Sequence, residues 1–285
     1  MSNWLITGIS RGFGKQLSEE LLKNGHHVAG TTRNGLSDLR HANLTVFKLD
    51  VTNPEDVHAA VLDIVETVGP IDVVVNNAGF GMVGAVEEVS PDEARHVFAT
   101  NVFGTLNVIQ AVLPSLRDQR SGLIINFSSV GGMAGSAGFG IYNATKFAVE
   151  GMSEALALEV KPFGIDVMIV EPGYFRTEFL SSQSMSKAKR EIEDYAPTAG
   201  VTRANVGSRD GSQPGDPAKA VQVIIAAAES ESPPLRLPLG ADAFARIDEK
   251  IAKVQSDMAA WRERATATSF EPGGLPAVCL LRGHA

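Results

Sequence analysis

Six short runs, at residues 4–7, 27–33, 45–50, 71–78, 123–129 and 165–173, are almost continuously apolar, and longer stretches with helical hydrophobic spacing lie between them. A strand that is apolar at successive positions must be covered on both faces. Parallel strands joined by crossover helices meet that condition. The rhythm predicts an α/β fold: one Rossmann-type, doubly wound parallel sheet of about seven strands with helices on both faces, in a single domain over residues 1–268. "LRLPLG" at 235–240 is the expected seventh strand.

Helix starts support the pattern. Asn53-Pro54, Ser90-Pro91-Asp92-Glu93 and Asp216-Pro217 each place a capping side chain before a proline at the first helical position. Gly25 and Gly164 are helix stops. Two segments depart from the rhythm. Residues 178–215, polar and rich in Ser, Gly and basic residues, read as a substrate lid after the sixth strand or as a disordered surface loop. Residues 241–266 read as an extra C-terminal helix whose stripe Phe244, Ile247, Ile251, Val254, Met258 and Trp261 is core or interface. The Gly- and Pro-containing end, 269–285, is expected to be a flexible tail.

Charge and composition narrow the function. A net charge of −8 disfavours nucleic-acid partners. No apolar run approaches the roughly 18 residues of a membrane span. The lone Cys279 excludes an internal disulfide, so a reducing, cytoplasmic location is expected. The six histidines have no metal-ligand spacing, and no catalytic metal is expected.

The chemistry is concentrated at strand ends. The first strand runs into "TGISRGFG" (7–14), where Gly8, Gly12 and Gly14 allow a tight turn and close approach of backbone to a pyrophosphate at a helix N-terminus. "NNAG" (76–79) ends the fourth strand. Gly8, Asp50, Asn77, Ser129 and Pro172-Gly173 all fall at carboxyl ends of strands, where open α/β sheets bind ligands. Tyr142 and Lys146 stand four positions apart, one helical turn, on the same face. A neighbouring ammonium should lower the phenol pKa by about 1–3 units and fit it for proton exchange with an alcohol or carbonyl oxygen. Ser129, thirteen residues before Tyr142, could hold the same oxygen.

These residues resemble the short-chain dehydrogenases/reductases. The matching motifs are "TGISRGFG", "LDVT" (49–52), "NNAG", "TNVFG" (100–104), "SSVGG" (128–132), "YNATK" (142–146) and "EPGYFRT" (171–177). The resemblance implies a catalytic set of Asn101, Ser129, Tyr142 and Lys146, with Ser128 the rival for the serine and Asn101 anchoring a water. It implies cofactor contacts from Gly8, Ser10, Arg11, Gly12, Phe13 and Gly14, from Asp50 and Val51 beside the adenine, and from Asn77, Ala78 and Gly79. It adds Tyr142, Lys146 on the nicotinamide ribose, and Pro172, Gly173, Phe175 and Thr177, the last on the carboxamide.

NAD-preferring members usually carry an Asp at the end of the second strand. Here "GTTRNG" (30–35) puts Arg33 there, with Arg11 opposite, so NADP(H) is the expected cofactor. The implied reaction interconverts a ketone or aldehyde with an alcohol. Gly135, Ala137, Phe139, Met133, Phe175 and Phe179 suggest a mostly apolar substrate, whereas Lys187, Lys189 and Arg190 could greet an anion. The glycine spacing disfavours a nucleotide-sugar epimerase, and the four-residue Tyr–Lys spacing disfavours an enoyl reductase. A redox-sensing NADP(H)-binding protein without turnover is the rival of another class. The family pattern also implies a homodimer through helices 92–116 and 142–161, with the C-terminal helix blocking a second interface.

Overall fold

Trp4 and Ile6 face one side of their strand and Leu5 the other, and all three are fully buried, as the apolar runs require. In this computed structural model, which describes residues 1–208 and 210–268, they belong to β1 (Asn3–Thr7). β2 (His27–Thr32) and β3 (Leu44–Lys48) lie to one side of it. β4 (Val73–Asn76), β6 (Gly122–Phe127), β7 (Ile165–Pro172) and β9 (Arg236–Leu239) lie to the other. The order β3-β2-β1-β4-β6-β7-β9 is wholly parallel. Its direction reverses between β1 and β4, the switch point at which such sheets hold ligands.

Two cores cover the sheet. α1 (Gly12–Lys23) and α7 (Pro217–Ala228) bury Leu17, Leu21, Val221 and Ile224 against Trp4, Ile6, Val75 and Ile125. On the other face α2 (Pro54–Val68), α4 (Thr105–Gln119) and α5 (Gly140–Val160) bury Val57, Ile64, Val112 and Leu156 against Leu5, Val74 and Ile124. The caps act as read: Asn53 accepts from Glu55 and Asp56 amides, Ser90 and Glu93 form a reciprocal box before α3 (Pro91–Phe98), and Asp216 caps α7. α3 continues through a π-helical turn, Ala99–Gly104, into α4. The joined helix Pro91–Gln119 is long and apolar enough to cross a membrane by length and composition alone. Here it packs against α2 and α5.

Where it is described, the segment 178–215 carries regular elements. β8 (Met185–Lys187) pairs in parallel with β5 (Gly81–Val83), and α6 (Val201–Ser208) follows. Beneath them Glu88, fully buried, accepts from the amides of Ala85 and Ile192 and is ion-paired to Arg203. Burial works against this carboxylate's charge, but the two amides and the guanidinium outweigh it and hold its pKa below the usual range. α8 (Ala241–Thr266) matches the expected helix, but its stripe is not core. Ile247 is buried, while Phe244, Ile251, Val254, Met258 and Trp261 are exposed. The expected tail and Cys279 lie outside the described residues.

Candidate active site

The first turn and the "NNAG" turn are bolted together. Asn77 Nδ2 donates to the Thr7 and Gly8 carbonyls, both at 2.9 Å. Thr7 Oγ1 in return accepts from the Asn77 and Ala78 amides at 3.0 and 3.1 Å. Gly8 takes φ 76° and Gly12 φ 57°, a left-handed backbone that glycine adopts without strain. Gly14 has a different task from the expected one. A Cβ there would lie 2.3 Å from the Gly8 carbonyl oxygen, so its bare backbone lets α1 approach β1 and it does not line the cleft.

The cleft, about 550 Å³, lies along the carboxyl ends of the strands. Every other predicted cofactor residue lines it, as do Ser129, Tyr142 and Lys146. Arg33, at the end of β2, is exposed at its rim. Asp50 accepts from Thr52 N and Oγ1 at 3.0 and 2.8 Å. The Thr52 amide does most to hold its pKa below the usual carboxylate range, and the Arg33 charge helps. The left-handed glycine turn at the start of α1 fits the pyrophosphate of a nicotinamide dinucleotide, and Arg33 puts a guanidinium where a ribose-binding acid would stand.

Asn101 departs from expectation. It sits in the π-helical turn, and its side chain is spent inside the protein: Oδ1 accepts from the Phe80 amide at 3.0 Å, and Nδ2 donates to the Phe80 carbonyl and to Thr145 Oγ1 at 2.9 and 3.1 Å. It does not line the cleft. Its buried amide instead ties the cleft wall at Phe80 to α5 behind Tyr142.

Tyr142 enters from the first turn of α5, and Lys146 one turn on places Nζ 5.9 Å from the centre of the phenol ring. Ser129 caps the short turn after β6, accepting from the Gly131 amide at 3.0 Å. The expected drop of the phenol pKa does not occur here. Burial pushes Tyr142 well above the usual tyrosine value, and only the Ser129 hydroxyl pulls it back. That interaction selects Ser129 over Ser128, whose buried hydroxyl faces Glu150 instead. The Lys146 ammonium is directed elsewhere, donating to the Phe127 carbonyl at 2.8 Å. Burial lowers its pKa to about 8, with the Glu150 charge opposing.

Behind Lys146, Arg236 Nη1 bridges Glu150 and Glu171, each at 2.5 Å, and Nη2 reaches Glu154 at 2.6 Å. Burial is the main cause that raises both Glu150 and Glu171, the latter to about 7. Sequence reasoning did not find this cluster, because its members come from α5, β7 and β9.

The cleft wall beside Tyr142 is apolar. Phe139 and Phe179 stand 6.2 and 5.6 Å from the Tyr142 ring centre, and Met82, Val83, Leu180 and Met185 pack around them. Polar lining residues that the motifs did not indicate include His96, Gln183, Ser184, Gln213 and Arg246. Lys187, Lys189 and Arg190 do not line the cleft.

The sequence profile of the short chain dehydrogenase family matches residues 2–188. The chain belongs to the short-chain dehydrogenases. Members use nicotinamide cofactors, and the chain is an oxidoreductase of this family. This short-chain dehydrogenase is 42% identical over 238 residues to a 3-ketodihydrosphingosine reductase of Bacteroides thetaiotaomicron, covering 83% of this chain and 87% of that one. It is 35% identical over 256 residues to human retinol dehydrogenase 8, covering 81% and 79% of the two chains. The solved structure of a short-chain dehydrogenase from Streptomyces avermitilis superposes with a TM-score of 0.88 at 40% identity, over 94% of this chain and all of that one.

Proposed function

We propose that the protein is an NADP(H)-dependent reductase of mostly apolar ketones or aldehydes, running also in the alcohol-oxidising direction. The observation that carries this reading is the Ser129–Tyr142–Lys146 group at the inner end of a cleft walled by Phe139 and Phe179. The bound nicotinamide supplies the hydride to the carbonyl carbon. Tyr142, kept protonated at neutral pH by burial, donates its proton to the carbonyl oxygen. The Ser129 hydroxyl donates to the same oxygen as negative charge builds on it. Lys146 offsets the charge left on the phenolate. One hydride and one proton convert the carbonyl to the alcohol.

Arg33 supports the preference for NADP(H), and the relatives named for a sphingoid ketone and for retinol support an apolar substrate. The outward Phe103, Phe147 and Leu158, on the joined helix and on α5, support a homodimer through these helices. The test is NADPH consumption with a series of alkyl and aryl ketones. Turnover should rise with apolar chain length and fall at least ~100-fold in Tyr142→Phe, with cofactor binding kept. Preference for anionic substrates would overturn the apolar assignment. Cofactor binding without turnover on any carbonyl would point to a sensor.

A further inference from the structure

Among the described residues, α8 touches the body only over its first two turns. Ala243 and Ile247 are buried beside Val130 and Met133, Asp242 accepts from the Tyr174 amide at 2.8 Å, and Arg246 donates to the Gly135 carbonyl at 2.7 Å. From residue 248 to 266 every position is exposed. This free length nevertheless carries Ile251, Val254, Met258 and Trp261, between 40% and 61% exposed. Counted from Ile247, the steps are four, three, four and three residues.

That alternation averages 3.5 residues, the repeat of a two-helix seam with interlocking side chains. The flanks of the stripe are polar: Asp248, Gln255 and Arg262 on one edge, Lys250, Asp257 and Arg264 on the other. A helix that lies in a lipid surface has a broad apolar face and a strongly basic polar one. Here the stripe is narrow and its flanks carry both signs, so the matching surface is another helix.

We propose that the outer part of α8, from Ile251 to Trp261, pairs antiparallel with the same segment of a second copy of this chain. The direction follows from the body, which sits on the stripe's own side at Ala243 and Ile247. A parallel pair would bring two bodies to one place; an antiparallel pair puts them at opposite ends. The register that matches all four exposed residues sets Ile251 against Trp261 of the partner subunit and Val254 against Met258 of the partner subunit.

By the two-fold, each contact occurs twice, as in most closed homo-oligomers. Asp248 then lies beside Arg262 of the partner subunit, an opposite pair at each end of that edge. Lys250 meets Arg264 of the partner subunit, a like pair at the solvated rim, where such charges count for little. Asp257 falls across from its own copy, a like pair that Lys253 of the same helix, at 2.7 Å, neutralises at this solvated rim. Gln255 falls across from its own copy.

Two measurements on the full chain test this. In sedimentation at micromolar concentration, Met258→Asp should have half the mass of the wild type. The readout is the loss of mass in the variant, two-fold for a pair through α8 alone or for a closed four-chain assembly that also uses α4 and α5. In a Cys279→Ser background, Gln255→Cys should form a disulfide-linked pair under mild oxidation, while Ser256→Cys, on the outer face of the helix, should not. Equal masses for wild type and Met258→Asp would overturn the proposal, as would equal cross-linking at 255 and 256. So would flotation of the wild type, but not of Met258→Asp, with phosphatidylcholine–phosphatidylserine vesicles at unchanged mass, which would assign the stripe to a lipid surface.

Discussion

Lys146 donates to the Phe127 carbonyl at 2.8 Å, so the last residue of β6 holds the ammonium at the base of the cleft. With its pKa lowered to about 8 by burial, this group loses its proton as pH rises through that value. A cofactor that needs the ammonium must then bind together with one proton. NADPH affinity, followed by fluorescence titration, should therefore be flat below about pH 8. It should decline above it by up to about tenfold per pH unit, and Lys146→Met should be weaker and flat.

Arg33 should set the cofactor preference. A charge-assisted hydrogen bond is worth about 1.5–3 kcal/mol, which corresponds to a discrimination of about 10- to 150-fold. Arg33→Asp should move the NADP/NAD ratio of kcat/KM by that amount or more. A wild type that favours NADH, or a variant whose ratio hardly moves, would remove Arg33 from the phosphate site.

The Glu88–Arg203 pair should hold the roof on the cleft. Glu88→Gln leaves Arg203 largely buried with only the exposed Glu191 as an ionic partner. Breaking such a pair costs about 3–5 kcal/mol. The loss should appear as faster proteolysis within residues 188–208 and a raised KM for the carbonyl substrate. An unchanged proteolysis pattern would show that β5 and β8 hold the roof unaided.

Glu150 and Glu171 face one shared guanidinium and should retain a proton between them near neutrality. The folded pKa of Glu171, about 7, lies above its ordinary value of 4.5. The native state therefore binds more protons than the unfolded chain between these values, and stability should fall as pH rises from about 4.5 to 7. In urea denaturation Glu171→Gln should flatten that slope. A wild type whose stability rises over this window would contradict the raised value.

Much of this molecule is written locally. The seven strands, the caps at Asn53, Ser90 and Asp216, and the residues of the inner cleft follow from spacing and motif, because each depends on a few adjacent positions. What escaped depends on distant partners. Gly81 pairs with Met185 and Glu88 with Arg203, contacts that only the folded chain makes. Gly14 and Asn101 match their motifs, but their neighbours set their tasks: the Gly8 carbonyl for one, Phe80 and Thr145 for the other. Tyr142 shows the same limit in energy. The i+4 ammonium was legible, whereas the burial that raises the phenol pKa and the Phe127 carbonyl that takes the ammonium were not.

The parallel pairing of β5 with β8 also orders events in time. Each strand has three residues, and a two-stranded sheet has little stability of its own in water. Its stability comes from docking on the seven-stranded sheet. Refolding is therefore expected to complete the dinucleotide half of the cleft before the carbonyl half. An early species should take up NADPH and protect Trp4 from solvent while remaining unable to reduce anything.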